Sequence, residues 1–132
     1  MLKFVIAVFF GSLCAAHAQQ VLVCEMNTDL GNSAISNRFV FSIEPGAPTA
    51  IVNDVLISGT TGGPMVAEVT NDTEDRITIK WRIDESNNTA YRKLPTLLFR
   101  ATITKADYRI NIMAQPSAYD NRFNSKGSCT PQ

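Results

Sequence analysis

The chain has 132 residues, of which 45% are hydrophobic, and its 12 basic and 12 acidic residues leave no net charge. A chain of this size forms one domain with a substantial core and is too short for two. The charge balance, with both signs interspersed along the chain, argues against a nucleic acid as the partner.

The first 18 residues have the features of an export signal. Lys3 supplies a positive start, residues 4–10 form an apolar segment, and residues 16–18 form a small-x-small cleavage site. We therefore expect a signal peptide over residues 1–18 and a single mature domain over residues 19–132. A retained membrane anchor is the disfavoured alternative, because the apolar segment is shorter than the roughly 20 residues that span a bilayer.

Three cysteines occur in the chain, and Cys14 falls within the predicted signal. Lipid attachment to Cys14 is disfavoured, because Leu13 stands where a small residue is required. After cleavage only Cys24 and Cys129 remain, in an oxidising compartment where pairing is the default. We therefore expect a secreted or periplasmic protein with a Cys24–Cys129 disulfide. Two free buried thiols are the alternative.

The mature chain alternates apolar and polar residues with a period of two and shows almost no helical period. The clearest strand is at residues 77–84, where Ile and Trp side chains alternate with Thr, Lys, Arg and Asp. Further strands are predicted, from the stronger to the weaker, at residues 39–44, 99–104, 108–112, 20–26, 49–58, 65–70 and 119–123.

The connections between these strands are mostly short, which suits antiparallel neighbours joined by hairpins. One of them, the glycine-rich segment 59–64, is interpreted as a mobile hairpin loop. The single long connection, residues 85–96, is rich in Ser and Asn and contains Pro95, so it predicts a surface loop.

An all-β antiparallel meander of seven or eight strands is therefore expected. Its apolar faces are buried either in a sandwich of two sheets or in a closed barrel. Closure pairs the first strand with the last. Cys24 and Cys129 then lie side by side, and no long extra segment is needed to bring them together. The closed barrel is favoured for this reason.

The mature chain offers little for catalysis. The only histidine, His17, lies in the predicted signal, so a nucleophile lacks its usual base and zinc lacks imidazole ligands. The adjacent carboxylates at 74–75 and 84–85 stand at strand ends rather than facing each other across a cleft, as a glycosidase requires. We expect no enzyme activity, no cofactor and no metal; calcium on the acidic segment 71–75 is the disfavoured alternative.

Two positions are candidates for binding. Tyr91, Arg92 and Lys93 in the long loop combine an aromatic ring with two cations, a composition that engages an acidic partner or a sugar. Gly62 and Gly63 lie in the second candidate segment, which lacks the Lys-Ser or Lys-Thr of a phosphate-binding loop.

The segment 119–129, with Cys24 near the mature start, resembles small exported bacterial proteins of unassigned function that end in an Asn-x-Phe and a Gly-x-Cys pattern. Here these are Asn121-Arg122-Phe123 and Gly127-Ser128-Cys129. In size and terminal disulfide the chain also resembles the small periplasmic barrel inhibitors of lysozyme. Their Ser- and Gly-rich inhibitory loop, which ends in a basic and an aromatic residue, is not reproduced at residues 58–65.

These features predict an interaction or inhibitor module that uses its loops to bind a protein or a surface glycan, with no membrane span. The alternative is a carrier with a small apolar ligand inside the barrel. Asn71 and Asn87 each begin an Asn-x-Thr sequon, which matters only in a eukaryotic source. The interaction module is favoured because large inward side chains are expected to fill the interior, namely Phe39, Phe41, Trp81, Phe99 and Tyr108.

Overall fold

The computed structural model describes residues 19–27, 35–84 and 96–132, so the predicted signal peptide at 1–18 lies outside the described residues. The described chain forms eight strands and one short helix. In chain order they are β1 (Gln20–Met26), β2 (Arg38–Ile43), β3 (Thr49–Asn53), α1 (Val55–Thr61), β4 (Met65–Asp72), β5 (Arg76–Ile83), β6 (Leu97–Thr104), β7 (Arg109–Pro116) and β8 (Phe123–Pro131).

The eight strands close into a barrel in sequence order, and every strand pairs antiparallel with the next. Closure is completed by β1 and β8, whose register places Cys24 opposite Cys129. A disulfide joins these two cysteines, with their Cα atoms 3.9 Å apart. The prediction of a closed all-β barrel with this disulfide is therefore confirmed, and the sandwich is not formed.

The barrel interior is filled by apolar side chains, because inward and outward residues alternate along the strands. Phe39, Phe41, Trp81 and Phe99 meet at its centre, and each is at most 5% exposed. Trp81 stacks on Phe99 with ring centroids 5.2 Å apart, and its ring meets Phe41 edge-on at 5.8 Å. These four rings fill the interior as predicted, whereas Tyr108 packs against the edge of this core, next to the start of β7.

The helix α1 is absent from the sequence prediction, which placed a strand at 49–58 and a hairpin loop at 59–64. The strand β3 instead ends at Asn53, and the carboxylate of Asp54 caps the helix by accepting a hydrogen bond from the Ile57 N–H. Gly62 ends the helix in the left-handed conformation, with φ of 81°. The run of Val, Leu and Ile has high strand propensity, and a helix of 7 residues is too short to show its own period.

The last strand was also misplaced, since a strand was predicted at 119–123 and β8 begins at Phe123. Its inward positions include Ser125, Gly127 and Cys129, which are small or polar, so the alternation that marks the other strands is missing. Barrel closure nevertheless supplies pairing partners on both sides, β7 and β1. Tertiary context thus overrides the weak local signal.

The two ends of the barrel differ. At the end that we call the α1 end, the helix packs Ile57 into the interior, where its side chain has no exposure. At the opposite end, which we call the mouth, the connections 44–48, 73–75 and 105–108 are short turns. No helix within the described ranges is long and apolar enough to cross a membrane.

Candidate functional site

The outer surface of β5 to β8 carries a concentration of positive charge. Side chains point alternately into and out of the barrel along a strand, so every second side chain of these strands points outward. The structure describes all residues of the four strands. None of the outward positions on them holds a carboxylate. They hold the cations Arg76, Lys80, Arg82, Arg100, Arg109 and Lys126, and we call this surface the basic face.

Most of these cations are not neutralised by ion pairs. Arg82 binds Asp84 at 2.8 Å and Arg109 binds Asp107 at 3.4 Å, and both carboxylates lie just beyond a strand end and are more than half exposed. The other four cations have no carboxylate within 4.0 Å in the described part of the chain. Because water screens them, these two exposed ion pairs contribute little to the stability of the fold.

One contact on the basic face opposes folding. Lys80 of β5 lies directly opposite Arg100 of β6 on one side and opposite Glu68 of β4 on the other, while Arg100 has no carboxylate opposite it on either neighbouring strand. Like charges in such cross-strand positions destabilise a sheet. Within the described residues, the Arg100 guanidinium hydrogen-bonds to the sulfur of Met113 alone, at 3.9 Å. A chain that keeps these two cations side by side breaks a local rule of sheet stability, which is typical of functional surfaces.

Two grooves run along the basic face. The larger, of about 890 Å³, includes Arg76, Arg109 and Lys126 in its lining, and between them lie polar side chains such as Thr104 and Asn111. Glu25 of β1 lies in the lining as well, and its carboxylate is held by Arg38 at 3.3 Å.

The smaller groove, of about 430 Å³, lies further along the same strands toward the α1 end. Lys80, Arg82 and Arg100 contribute to its lining, together with the apolar side chains of Leu98 and Met113. Glu68 of β4 lies at its border, opposite Lys80. The two grooves therefore extend one cationic surface along β5, β6 and β7.

The opposite half of the outer surface is different in character. The outward residues of β1 to β4 include several aliphatic side chains, of which Val40, Ile51 and Val66 are 37%, 36% and 62% exposed. Carboxylates gather at the turn between β4 and β5, where Asp72 is bound by Lys105. Among the described strands, positive charge is thus concentrated on β5 to β8, and Arg38 of β2 is the only cation on β1 to β4.

The signal for the basic face was present in the sequence, in the alternation Arg-x-Thr-x-Lys-x-Arg of residues 76–82. On its own, this alternation predicts only that one face of the strand is exposed to solvent. Among the described residues, the acidic side chains lie in turns and connections and on β1 and β4, so the charge segregation appears only once the register is known.

The residues predicted to bind lie in two places. Gly62 and Gly63 follow α1 at the α1 end of the barrel, and the Gly62 N–H donates to the Ser58 carbonyl at 3.1 Å, which ends the helix. Tyr91, Arg92 and Lys93 lie outside the described residues. A binding role for all five stays a prediction.

The strands on either side of the long connection are, however, described. β5 and β6 carry four of the six cations of the basic face, and the β5 end and the β6 start lie at the α1 end. The cations Arg92 and Lys93 therefore belong, in sequence, to a connection between the two strands that carry most of the positive charge.

One buried carboxylate organises the α1 end. Asp54 is 8% exposed and accepts hydrogen bonds from the Ile57 N–H at 2.6 Å and from the Ser36 hydroxyl at 2.7 Å. Burial raises the pKa of Asp54 above its ordinary value of 3.8, and the hydrogen bonds oppose this shift only in part. The carboxylate thus ties α1 to the chain that leads into β2.

No group of three or more His, Cys, Asp or Glu side chains that could hold a metal ion occurs among residues 19–27, 35–84 and 96–132. The absence of enzyme activity stays a prediction. In comparisons with known proteins, no family model, no curated protein and no solved structure matches the chain. Its function is therefore inferred from its own surface.

Proposed function

We propose that this protein is an exported binding module that recognises an anionic surface glycan through the basic face. The observation that carries the proposal is the outer surface of β5 to β8, with six cations and no carboxylate on its outward positions. Such a surface attracts anionic partners and accelerates their association.

The arrangement of the cations suits a ligand with repeated charges. Neighbouring strands lie about 4.8 Å apart and same-face residues about 6.7 Å apart along a strand, so the cations within each groove are roughly 5 to 10 Å apart, and Arg76 is about 13 Å from Lys80. The face is also continuous over two grooves. A polymer with regularly spaced carboxylate, sulfate or phosphate groups engages several of these cations together.

A glycan is favoured over a nucleic acid by the side chains between the cations. Thr102, Thr104, Asn111 and Ser128 supply hydroxyl and amide groups that hydrogen-bond to sugar hydroxyls. No aromatic side chain occupies an outward position on β5 to β8, whereas stacking of bases on aromatic rings is a main source of affinity for single strands. The predicted export of the protein also directs it to surface polymers.

The carrier is the weaker alternative. The centre of the barrel is occupied by the rings of Phe39, Phe41, Trp81 and Phe99. A ligand pocket for a molecule of drug size needs about 300 to 1,000 Å³, and the apolar depression at the mouth has about 200 Å³.

The proposal is tested by binding to an immobilised acidic polysaccharide, with a neutral polysaccharide beside it. Arg76→Gln removes a cation from the lining of the larger groove, and Arg122→Gln removes the same charge from the connection before β8, off the basic face. We expect the first variant to bind about tenfold more weakly and the second to bind within about twofold of the parent chain.

The triple variant Arg76→Gln, Arg100→Gln and Lys126→Gln is expected to lose measurable retention, and binding of the parent chain should weaken as salt is raised. Equal losses of binding affinity in Arg76→Gln and Arg122→Gln would show that net charge alone determines binding, which would contradict the proposal. Tighter binding to duplex DNA than to the acidic polysaccharide would assign the face to nucleic acid. A separate variant with Tyr91, Arg92 and Lys93 changed to alanine measures how much the long loop contributes to binding affinity.

A further inference from the structure

We infer that the mouth of the barrel is a second binding site, independent of the basic face, for a single aromatic ring that carries a hydroxyl group. A pocket of about 200 Å³ opens at this end of the barrel. Its apolar floor is formed by four inward side chains, none more than 7% exposed, from Leu22, Ile43, Ile77 and Ile103.

The size and lining of the pocket select the class of ligand. A cavity of about 150 Å³ lined by Leu, Ile and Phe holds one benzene molecule. The pocket at the mouth is slightly larger and has an aliphatic floor, so it accommodates a six-membered ring with one small substituent. It is too small for a lipid chain or an oligosaccharide.

The rim of the pocket supplies hydrogen-bonding groups. The Gln20 side-chain amide donates to the Tyr108 hydroxyl at 3.2 Å. That hydroxyl makes no other hydrogen bond within the described chain, so its own proton remains to be donated to a ligand oxygen. Across the rim, Lys105 and Asp72 pair at 2.5 Å. The rim thus combines donors and acceptors without net charge, which suits a neutral hydroxyl.

Tyr108 is held in an unusual backbone conformation. Its φ is 56°, and it is the only residue other than glycine with positive φ in the described ranges. Hydrogen bonds fix both sides of the residue: its N–H donates to the Thr104 carbonyl at 2.9 Å, and its carbonyl accepts from the Cys129 N–H at 2.8 Å.

Glycine or asparagine ordinarily occupies such a position after a turn, because a bulky side chain is strained there. Strain of this kind concentrates at functional sites. The chain places a tyrosine at this position, where its ring lines the pocket. An aromatic wall also favours an aromatic ligand, through edge-to-face or offset contact.

The ring has two possible sources, a free phenol or a tyrosine side chain of a partner, and they share the same chemistry. The probes are phenol and N-acetyl-tyrosinamide, titrated into the mature oxidised protein with isoleucine methyl groups observed by NMR. We expect saturable shifts at Ile43, Ile77 and Ile103 and none at Ile57, which lies at the opposite end of the barrel. Affinity in the millimolar range is expected for so small a ligand.

Tighter binding of phenol than of the tyrosine amide identifies a free small molecule as the source, and the reverse identifies a partner's side chain. Tyr108→Phe removes only the hydroxyl and is expected to weaken phenol binding about fivefold. Tyr119→Phe removes the same group from an exposed ring far from the pocket and should change nothing. Shifts centred on Ile57, or affinities equal in the two variants, would overturn the inference.

Discussion

Cys24 of β1 and Cys129 of β8 are directly paired residues in the seam where the first and last strands of the barrel meet. Their sequence separation is 105 residues, so the disulfide ties almost the whole described chain into one loop. In the unfolded chain this link removes much of the conformational freedom that folding must otherwise overcome.

Changing both cysteines to serine is therefore expected to lower the free energy of unfolding by about 2 to 5 kcal/mol. Urea denaturation of the parent chain and the double variant measures the difference. Chemical reduction of the parent chain removes the same bond, so its stability should fall to that of the variant. An unchanged midpoint would show that strand pairing alone maintains the seam.

The barrel could be predicted from the sequence because two independent signals agreed. The alternation of apolar and polar residues at 77–83 indicated strands with one buried face. The positions of Cys24 and Cys129 indicated that the first and last strands meet. Neither signal alone distinguishes a barrel from a sandwich. The pairing of β1 with β8 was harder to predict from the sequence, because β8 presents small and polar residues to the interior.

Gly127 is one of these small residues, and its lack of a side chain is required by the seam. A Cβ atom at this position would clash with the Glu25 carbonyl oxygen and lie 2.9 Å from the Met26 Cα. Both atoms belong to the backbone of β1, so they cannot move aside without disturbing the pairing.

Gly127→Ala is thus expected to destabilise the barrel by more than about 2 kcal/mol, as overpacking of a close contact does. Gly59→Ala is the matched control, since nothing lies within 4 Å of a Cβ at that position in α1. Because alanine favours helix more than glycine, this control should gain up to about 1 kcal/mol. Thermal unfolding of the two variants beside the parent measures both effects, and similar melting temperatures would contradict the close contact.

The basic face shows what sequence alone does not reveal. Arg76, Lys80 and Arg82 alternate within one strand and were visible as a polar face. Their proximity to Arg100, Arg109 and Lys126 depends on the register of four strands, which a strand prediction does not fix. The helix α1 was missed for a related reason, because its capping residue Asp54 finds its second partner, Ser36, 18 residues away.

The Lys80 and Arg100 pair allows stability and binding to be separated. Arg100→Thr removes one of two directly opposed cations from the β5–β6 pair, leaves Lys80 opposite Glu68 of β4, and introduces a residue with high strand propensity. We expect stability to rise by about 0.2 to 1 kcal/mol while binding to the acidic polysaccharide weakens. Urea denaturation and the binding assay on one preparation measure the two effects. A variant that loses both stability and binding would argue that the arginine has a structural role instead.

Asp54 makes the stability of the α1 end depend on pH. Because burial raises its pKa in the folded protein above 3.8, the folded state binds this proton more tightly than the unfolded state does. The contribution of Asp54 to stability is therefore greatest below pH 3.8 and is lost as pH rises through the folded pKa.

Asp54→Asn does not titrate and keeps an oxygen that accepts the Ile57 N–H, so it is the reference for this effect. The difference in unfolding free energy, parent minus variant, should fall as the pH is raised from below 3.8 and then become constant. Urea denaturation of both proteins at matched ionic strength over this range measures the difference. A difference that instead grows with pH would mean that the hydrogen bonds from Ile57 and Ser36 stabilise the carboxylate more than burial destabilises it, and would reverse the assigned direction of the pKa shift.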